Sequence, residues 1–62
     1  MGRPNEALKI IEQAIPMHEE VYGPESPIVA ELLQAYAGLL RKVGRRQDAK
    51  QAAKRANAVL SR

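Results

Sequence analysis

The chain lacks the residue types on which most catalytic and metal sites depend. It has no cysteine, tryptophan or phenylalanine, one histidine (His18) and two tyrosines (Tyr22 and Tyr36). The absence of cysteine excludes disulfides and thiolate metal sites, and a lone histidine is a poor basis for a metal centre. There is no glycine-rich phosphate loop and no nucleophile at useful spacing from a base. The sequence therefore predicts no enzyme, no cofactor, and no catalytic or metal-binding residue.

Long hydrophobic runs are also missing. No apolar run approaches the ~20 residues that a bilayer-spanning helix needs, and no signal-peptide pattern opens the chain. We therefore expect a cytoplasmic protein without a membrane partner. The 62 residues form one small domain at most, and its core is marginal unless another element adds to it.

Charge is distributed unevenly along the chain. Residues 1–40 hold two basic and six acidic side chains, whereas residues 41–62 hold eight basic side chains and one acidic one, Asp48. The two parts carry net charges of −4 and +7, in agreement with the +3 of the whole chain. Such an asymmetry is typical of head-to-tail self-contact, of an acidic partner or of plain solubility, and it does not decide among them.

A short segment recurs. Gly2–Ala7 is echoed 42 residues later by Gly44–Ala49, with a glycine, a polar helix start and an alanine in both copies. Recurrence at a fixed spacing of roughly 20 to 50 residues indicates stacked repeat units. The function is therefore expected to reside in surfaces rather than in a catalytic site.

The hydrophobic periodicity predicts an all-α fold. The expected helices are Pro4–Tyr22, Pro27–Val43 and Arg46–Leu60. Gly23 is expected to end the first helix with a left-handed cap, Ser26 to cap the second, and Gly44 to end it. Connectors this short predict that consecutive helices are antiparallel neighbours.

Each helix is expected to bury a different share of its surface. The apolar arc of the first is roughly 180° wide, more than one neighbour covers. From this arc we select a self-association surface: Leu8, Ile11, Ile15 and Tyr22. The second helix has an apolar arc of roughly 220°, so it must lie between two neighbours. Its open side is left with Glu31, Gln34, Gly38, Arg41 and Lys42. The third helix has a narrow alanine-rich stripe and faces water elsewhere, as the end of a solenoid does.

The pattern Leu33-x-x-Tyr36-Ala37-x-x-Leu40, followed by Gly44 and by Ala49-x-x-x-Ala53-x-x-Ala56, resembles the tetratricopeptide repeat, a helix–turn–helix unit. The Gly23–Pro27 connector and the 42-residue spacing are similar to the long-repeat branch typified by kinesin light chains. The resemblance implies three antiparallel helices of a right-handed α-solenoid. Residues 1–22 would be the second helix of one unit, 23–27 a connector, and 28–43 and 44–62 one full unit that ends in a C-terminal cap.

The resemblance also implies a function. In that family the first helix of each unit lines a concave groove that binds peptides or partner proteins. The groove positions match Glu31, Gln34, Gly38, Arg41 and Lys42. We therefore expect a protein–protein interaction module, the C-terminal part of a longer array, whose partner carries acidic groups near Arg41 and Lys42.

Two other functions compete with this interpretation. The chain would associate with itself if the apolar face of the first helix and the opposite-charge ends drive a homo-oligomer. Binding of nucleic acid by the basic third helix is disfavoured, because no aromatic residue lies among its basic residues and no recognition motif is present.

Overall fold

The computed structural model describes residues 3–61, which form three α-helices. Helix α1 spans Pro4–Tyr22, α2 spans Pro27–Lys42 and α3 spans Arg46–Leu60. The all-α fold is confirmed, and the helices begin and end where the periodicity predicts, except that α2 ends one residue earlier than expected. Met1, Gly2 and Arg62 lie outside the described residues. These three residues include the glycine that opens the recurring segment and both ends of the predicted domain.

The connector between α1 and α2 ends one helix and starts the next within residues 23–26. Gly23 has φ 89° and ψ 152°, a combination that essentially only glycine adopts. Its ψ is extended, so the cap differs from the left-handed one that the sequence predicts, although a glycine is needed in both. Ser26 caps α2 as predicted, because its Oγ accepts a hydrogen bond of 3.2 Å from the Ile28 N–H.

The turn between α2 and α3 is a Schellman motif centred on Gly44, whose φ is 85°. The Gly44 N–H donates to the Arg41 carbonyl at 3.1 Å, and the Arg45 N–H donates to the Leu40 carbonyl at 2.8 Å. These two bonds satisfy carbonyls that the end of α2 leaves free. The turn reverses the chain within residues 43–45 and sets the first turn of α3 beside the last turn of α2.

Helix α2 lies between the other two helices, as its wide apolar arc predicts. Its C-terminal end lies beside the start of α1, because Leu39 and Ala7 line one cleft. Gln34, in the middle of α2, lines another cleft with Asn57 near the end of α3. Arg41, at the end of α2, lines a cleft with Arg46 at the start of α3. Both neighbours therefore run antiparallel to α2.

Among residues 3–61, ten buried apolar residues form the core, half of them from α2. They are Leu8, Ile15, Val29, Ala30, Leu33, Ala37, Leu40, Ala49, Ala52 and Ala56. Helix α3 contributes only alanines, so small side chains set its spacing from α2. Leu60, the last residue of α3, is 48% exposed. None of the helices in residues 3–61 has a stretch long and apolar enough to cross a membrane.

Candidate functional site

The open side of α2 carries the five residues that the sequence selects for partner binding. We call them the α2 strip: Glu31, Gln34, Gly38, Arg41 and Lys42. All are exposed except Gly38, which is half-buried. The strip stays open because α1 and α3 cover the other sides of α2. Nothing lies within 4 Å of the Cβ position that Gly38 lacks, so the middle of the strip is a shallow floor.

At its C-terminal end the strip meets the start of α3. Arg41 lines a cleft of about 370 Å³ together with Arg46 and Lys50. No described residue forms a hydrogen bond or ion pair with any of these three side chains. The positive N-terminal end of the α3 dipole adds to their field. The arrangement suits a carboxylate or another anionic group.

Arg41 also faces the groove between α2 and α3. A second cleft, of about 310 Å³, is lined by Gln34, Ala37, Arg41, Ala53 and Asn57. Its two amides offer donors and acceptors, and its alanines give it an apolar floor. Such a cleft can hold the backbone or a short side chain of an extended segment.

Lys42 lies on the other side of the strip. It lines a cleft of about 420 Å³ with Arg3, Pro4, Ala7 and Leu39, between the start of α1 and the end of α2. The structure thus brings Arg41 and Gln34 together but separates Lys42 from them. Sequence reasoning missed that Arg41 lines the same cleft as Arg46 and Lys50. The short turn between α2 and α3 was the available signal, since it forces these residues to the same end.

A polar cluster occupies the side of α2 that faces both α1 and α3. The Tyr36 hydroxyl donates to Glu12 Oε2 at 3.0 Å, and Arg55 donates to Glu19 Oε2 at 2.8 Å. Burial raises the pKa of the Tyr36 hydroxyl, and Glu12 raises it further by accepting its hydrogen bond and by its negative charge. Arg45, the residue just before α3, donates to Asp48 Oδ2 in the first turn of that helix at 2.9 Å.

The predicted self-association surface needs correction. Leu8 and Ile15 are only 5% and 8% exposed, because they face α2 and belong to the core of the chain. Ile11 packs against this core, and Tyr22 alone is well exposed, at 53%. The sequence placed all four on one apolar arc but did not tell which part of the arc α2 covers. The exposed part of the arc carries Ile10, Met17 and Val21, which lie on the side of α1 that faces away from α2.

His18 has a packing role in the structure. Its Nδ1 donates to the Ala14 carbonyl at 2.7 Å, and its ring stacks on Tyr22 with centroids 5.8 Å apart. Together with Met17 and Val21 these two rings line a cleft of about 160 Å³ at the end of α1. Residues 3–61 hold no group of three or more acidic, histidine or cysteine side chains suited to a metal ion.

Comparison with known proteins supports the resemblance seen in the sequence. The family model described as the tetratricopeptide repeat matches residues 1–61. No curated protein and no solved structure matches the chain.

Proposed function

The chain belongs to the tetratricopeptide-repeat family, and from this premise we propose that it binds a peptide or a partner protein along the α2 strip. The family indicates protein partners in general. The bound segment is extended, and its acidic groups lie over the cleft of Arg41, Arg46 and Lys50. The chain acts as a scaffold in this proposal and not as an enzyme.

The convergence of three cations without an ion-pair partner is the observation that carries this proposal. Arg41, Arg46 and Lys50 line one cleft, and none of them forms an ion pair with a described residue. Arg45 and Arg55 each bond a carboxylate, whereas several lysines of the described chain do not. The three cations therefore differ from the other unpaired ones because they line one cleft. An anionic group of the partner relieves the mutual repulsion of the three side chains, and guanidinium groups give it directed, charge-assisted hydrogen bonds.

The repeat branch, the cellular location and the continuation into a longer array are proposed from the sequence. Membership of the long-repeat branch is supported by the 42-residue spacing and by the capped connector at Gly23 and Ser26. The cytoplasmic location and the continuation into a longer array stay predictions.

Fluorescence anisotropy with a labelled, extended acidic peptide tests the proposal. The reference peptide has every Asp and Glu replaced by Asn and Gln. We expect the acidic peptide to bind the chain, and Arg41→Glu to weaken binding about tenfold or more, through the loss of a charge-assisted hydrogen bond and new repulsion. Lys54→Glu is the matched control, because it makes the same change of charge at an exposed site away from these clefts.

Two outcomes contradict the proposal. If Arg41→Glu and Lys54→Glu weaken binding equally, only net charge attracts the peptide and the cleft has no part in it. If a single-stranded oligonucleotide binds the same cleft more tightly than the acidic peptide at equal ionic strength, the basic end serves nucleic acid instead.

A further inference from the structure

The outer flank of α1 exposes a row of apolar side chains that no part of the described chain covers. Ile10, Met17 and Val21 are 68%, 63% and 73% exposed, and Ala14 lies between them. We call Ile10, Ala14, Met17 and Val21 the α1 seam. Their spacing of four, three and four residues places them on one line along the helix. An apolar row of this length on a helix marks an interface.

We propose that two copies of the chain associate through the α1 seam, with their α1 helices antiparallel about a two-fold axis near Ala14. The seam complements itself in this arrangement. Reversal about Ala14 places Ile10 between the Met17 and Val21 side chains of the second copy, so that large side chains meet gaps. The small side chain of Ala14 on the axis lets the helices approach closely. A two-fold contact also buries the same seam on both copies.

The charges at the two ends of α1 favour the antiparallel direction. The N-terminal end carries Arg3 and Lys9 against Glu6, and Lys42 of α2 lies beside it. The last turn of α1 has no basic residue and carries the exposed Glu20. In an antiparallel pair, the more positive end of each α1 therefore lies beside the more negative end of the other α1. A parallel pair brings like ends together.

Helix α3 of a second copy would cover the α1 seam less well than α1 does. The exposed side of α3 presents Lys50, Lys54 and Asn57 and has no row of large apolar side chains. A head-to-tail contact between the acidic and basic parts of two copies therefore leaves the seam poorly covered. The α1 helix of a second copy supplies both the apolar row and the complementary charge.

Sedimentation equilibrium of the chain between about 1 μM and 1 mM tests the proposal, with circular dichroism to check the fold. We expect a monomer–dimer equilibrium. Met17→Glu should raise the dimer dissociation constant about tenfold or more, because it buries an unpaired carboxylate. Leu60→Glu makes the same kind of change at an exposed apolar residue outside the seam and should leave dimerisation unchanged. The exposure of Met17 means that the chain should fold with either change.

The antiparallel arrangement of the two α1 helices can be tested separately by disulfide cross-linking, because the chain has no cysteine of its own. Ala14→Cys sets two thiols close to the proposed axis, so mild oxidation should link two copies quickly, whereas Lys54→Cys should react slowly. The dimer should also persist at ~1 M salt, where contacts between exposed charges are screened.

Several results overturn the proposal. A folded monomer over the whole concentration range means that the seam serves a different polypeptide or a further segment of a longer one. Open-ended assembly, or dissociation by salt, means that charged ends drive the contact. Equal oxidation of the Ala14→Cys and Lys54→Cys variants excludes an antiparallel pair centred on Ala14.

Discussion

The Tyr36 hydroxyl donates a hydrogen bond of 3.0 Å to Oε2 of Glu12, which lies 24 positions earlier in the chain. This bond joins the middle of α2 to the middle of α1. Burial raises the pKa of the Tyr36 hydroxyl above its ordinary value of 10.0, and both the hydrogen bond to Glu12 and the charge of Glu12 act in the same direction. The folded chain therefore holds this proton to a higher pH than the unfolded chain does.

The first prediction concerns alkaline pH. Because the pKa of Tyr36 is higher in the folded state, its contribution to stability is fully present below pH 10.0 and is lost as the pH rises through the raised value. Tyr22→Phe leaves Tyr36 as the single tyrosine and keeps a ring to stack on His18. In this background Glu12→Gln should lower the pKa of Tyr36, as measured by the ultraviolet absorbance of tyrosinate.

The same titration in urea provides the control for the first prediction. Unfolding removes both burial and the bond to Glu12, so the midpoint should fall in both variants and become the same. If Glu12→Gln leaves the midpoint of the folded chain unchanged, Glu12 does not hold the hydroxyl in solution.

The second prediction compares two glycines of α2 and its turn. Gly44 has φ 85°, where an added Cβ is strained, so Gly44→Ala should destabilise the chain by about 1 kcal/mol. Gly38 lies in the helix, and its missing Cβ would meet nothing within 4 Å. Gly38→Ala should therefore stabilise the chain by about 0.5–1 kcal/mol. Urea unfolding measures both, and effects of the same sign contradict the assignment of the turn.

Local features of this fold follow from the sequence because they depend on neighbouring residues. Ser26 before Pro27 specifies the start of α2, and Gly44 after the basic last turn specifies its end. The wide apolar arc of α2 requires two neighbours whatever their register, so its middle position was also predictable. Short connectors then leave antiparallel packing as the simple solution.

Features that depend on how the helices pack were not predictable in the same way. The arc of α1 contains Leu8 and Ile15 as well as Ile10 and Met17, and a helical wheel does not tell which pair α2 covers. The bond between Glu12 and Tyr36 depends on the register of two helices. Sequence reasoning therefore predicted which side of α2 stays open, and partner binding there remains a prediction, but it misplaced the exposed surface of α1.

The third prediction compares the same substitution in the core and at the surface. Leu40 is fully buried and Leu60 is 48% exposed. Leu40→Ala should cost about 2–5 kcal/mol, which for a domain of this size is comparable to its whole free energy of unfolding. Leu60→Ala should change stability by no more than about 0.5 kcal/mol. Thermal unfolding followed by far-ultraviolet circular dichroism measures both, and similar midpoints contradict the described core.

The fourth prediction concerns the ion pair that links α1 directly to α3. Arg55 donates to Glu19 at 2.8 Å, and the two side chains are 52% and 27% exposed. Partial exposure screens the pair, so a double-mutant cycle with Glu19→Gln and Arg55→Gln should give a coupling energy of about 0.5 kcal/mol that falls towards zero at ~1 M salt. Lys54→Gln removes the same charge without a bond and should show no coupling to Glu19.

The ion pair between Arg55 and Glu19 also allows an effect on stability to be distinguished from an effect on peptide binding. Arg55 shares a cleft with Leu33 and Tyr36, which lie on a different side of α2 from the α2 strip. Arg55→Gln should therefore lower stability slightly and leave the affinity for the acidic peptide unchanged, provided that the chain stays folded. A loss of affinity as large as that of Arg41→Glu contradicts the placement of the bound segment on the α2 strip. Anisotropy titrations of the two variants, at the same ionic strength and well below the unfolding temperature, decide between these results.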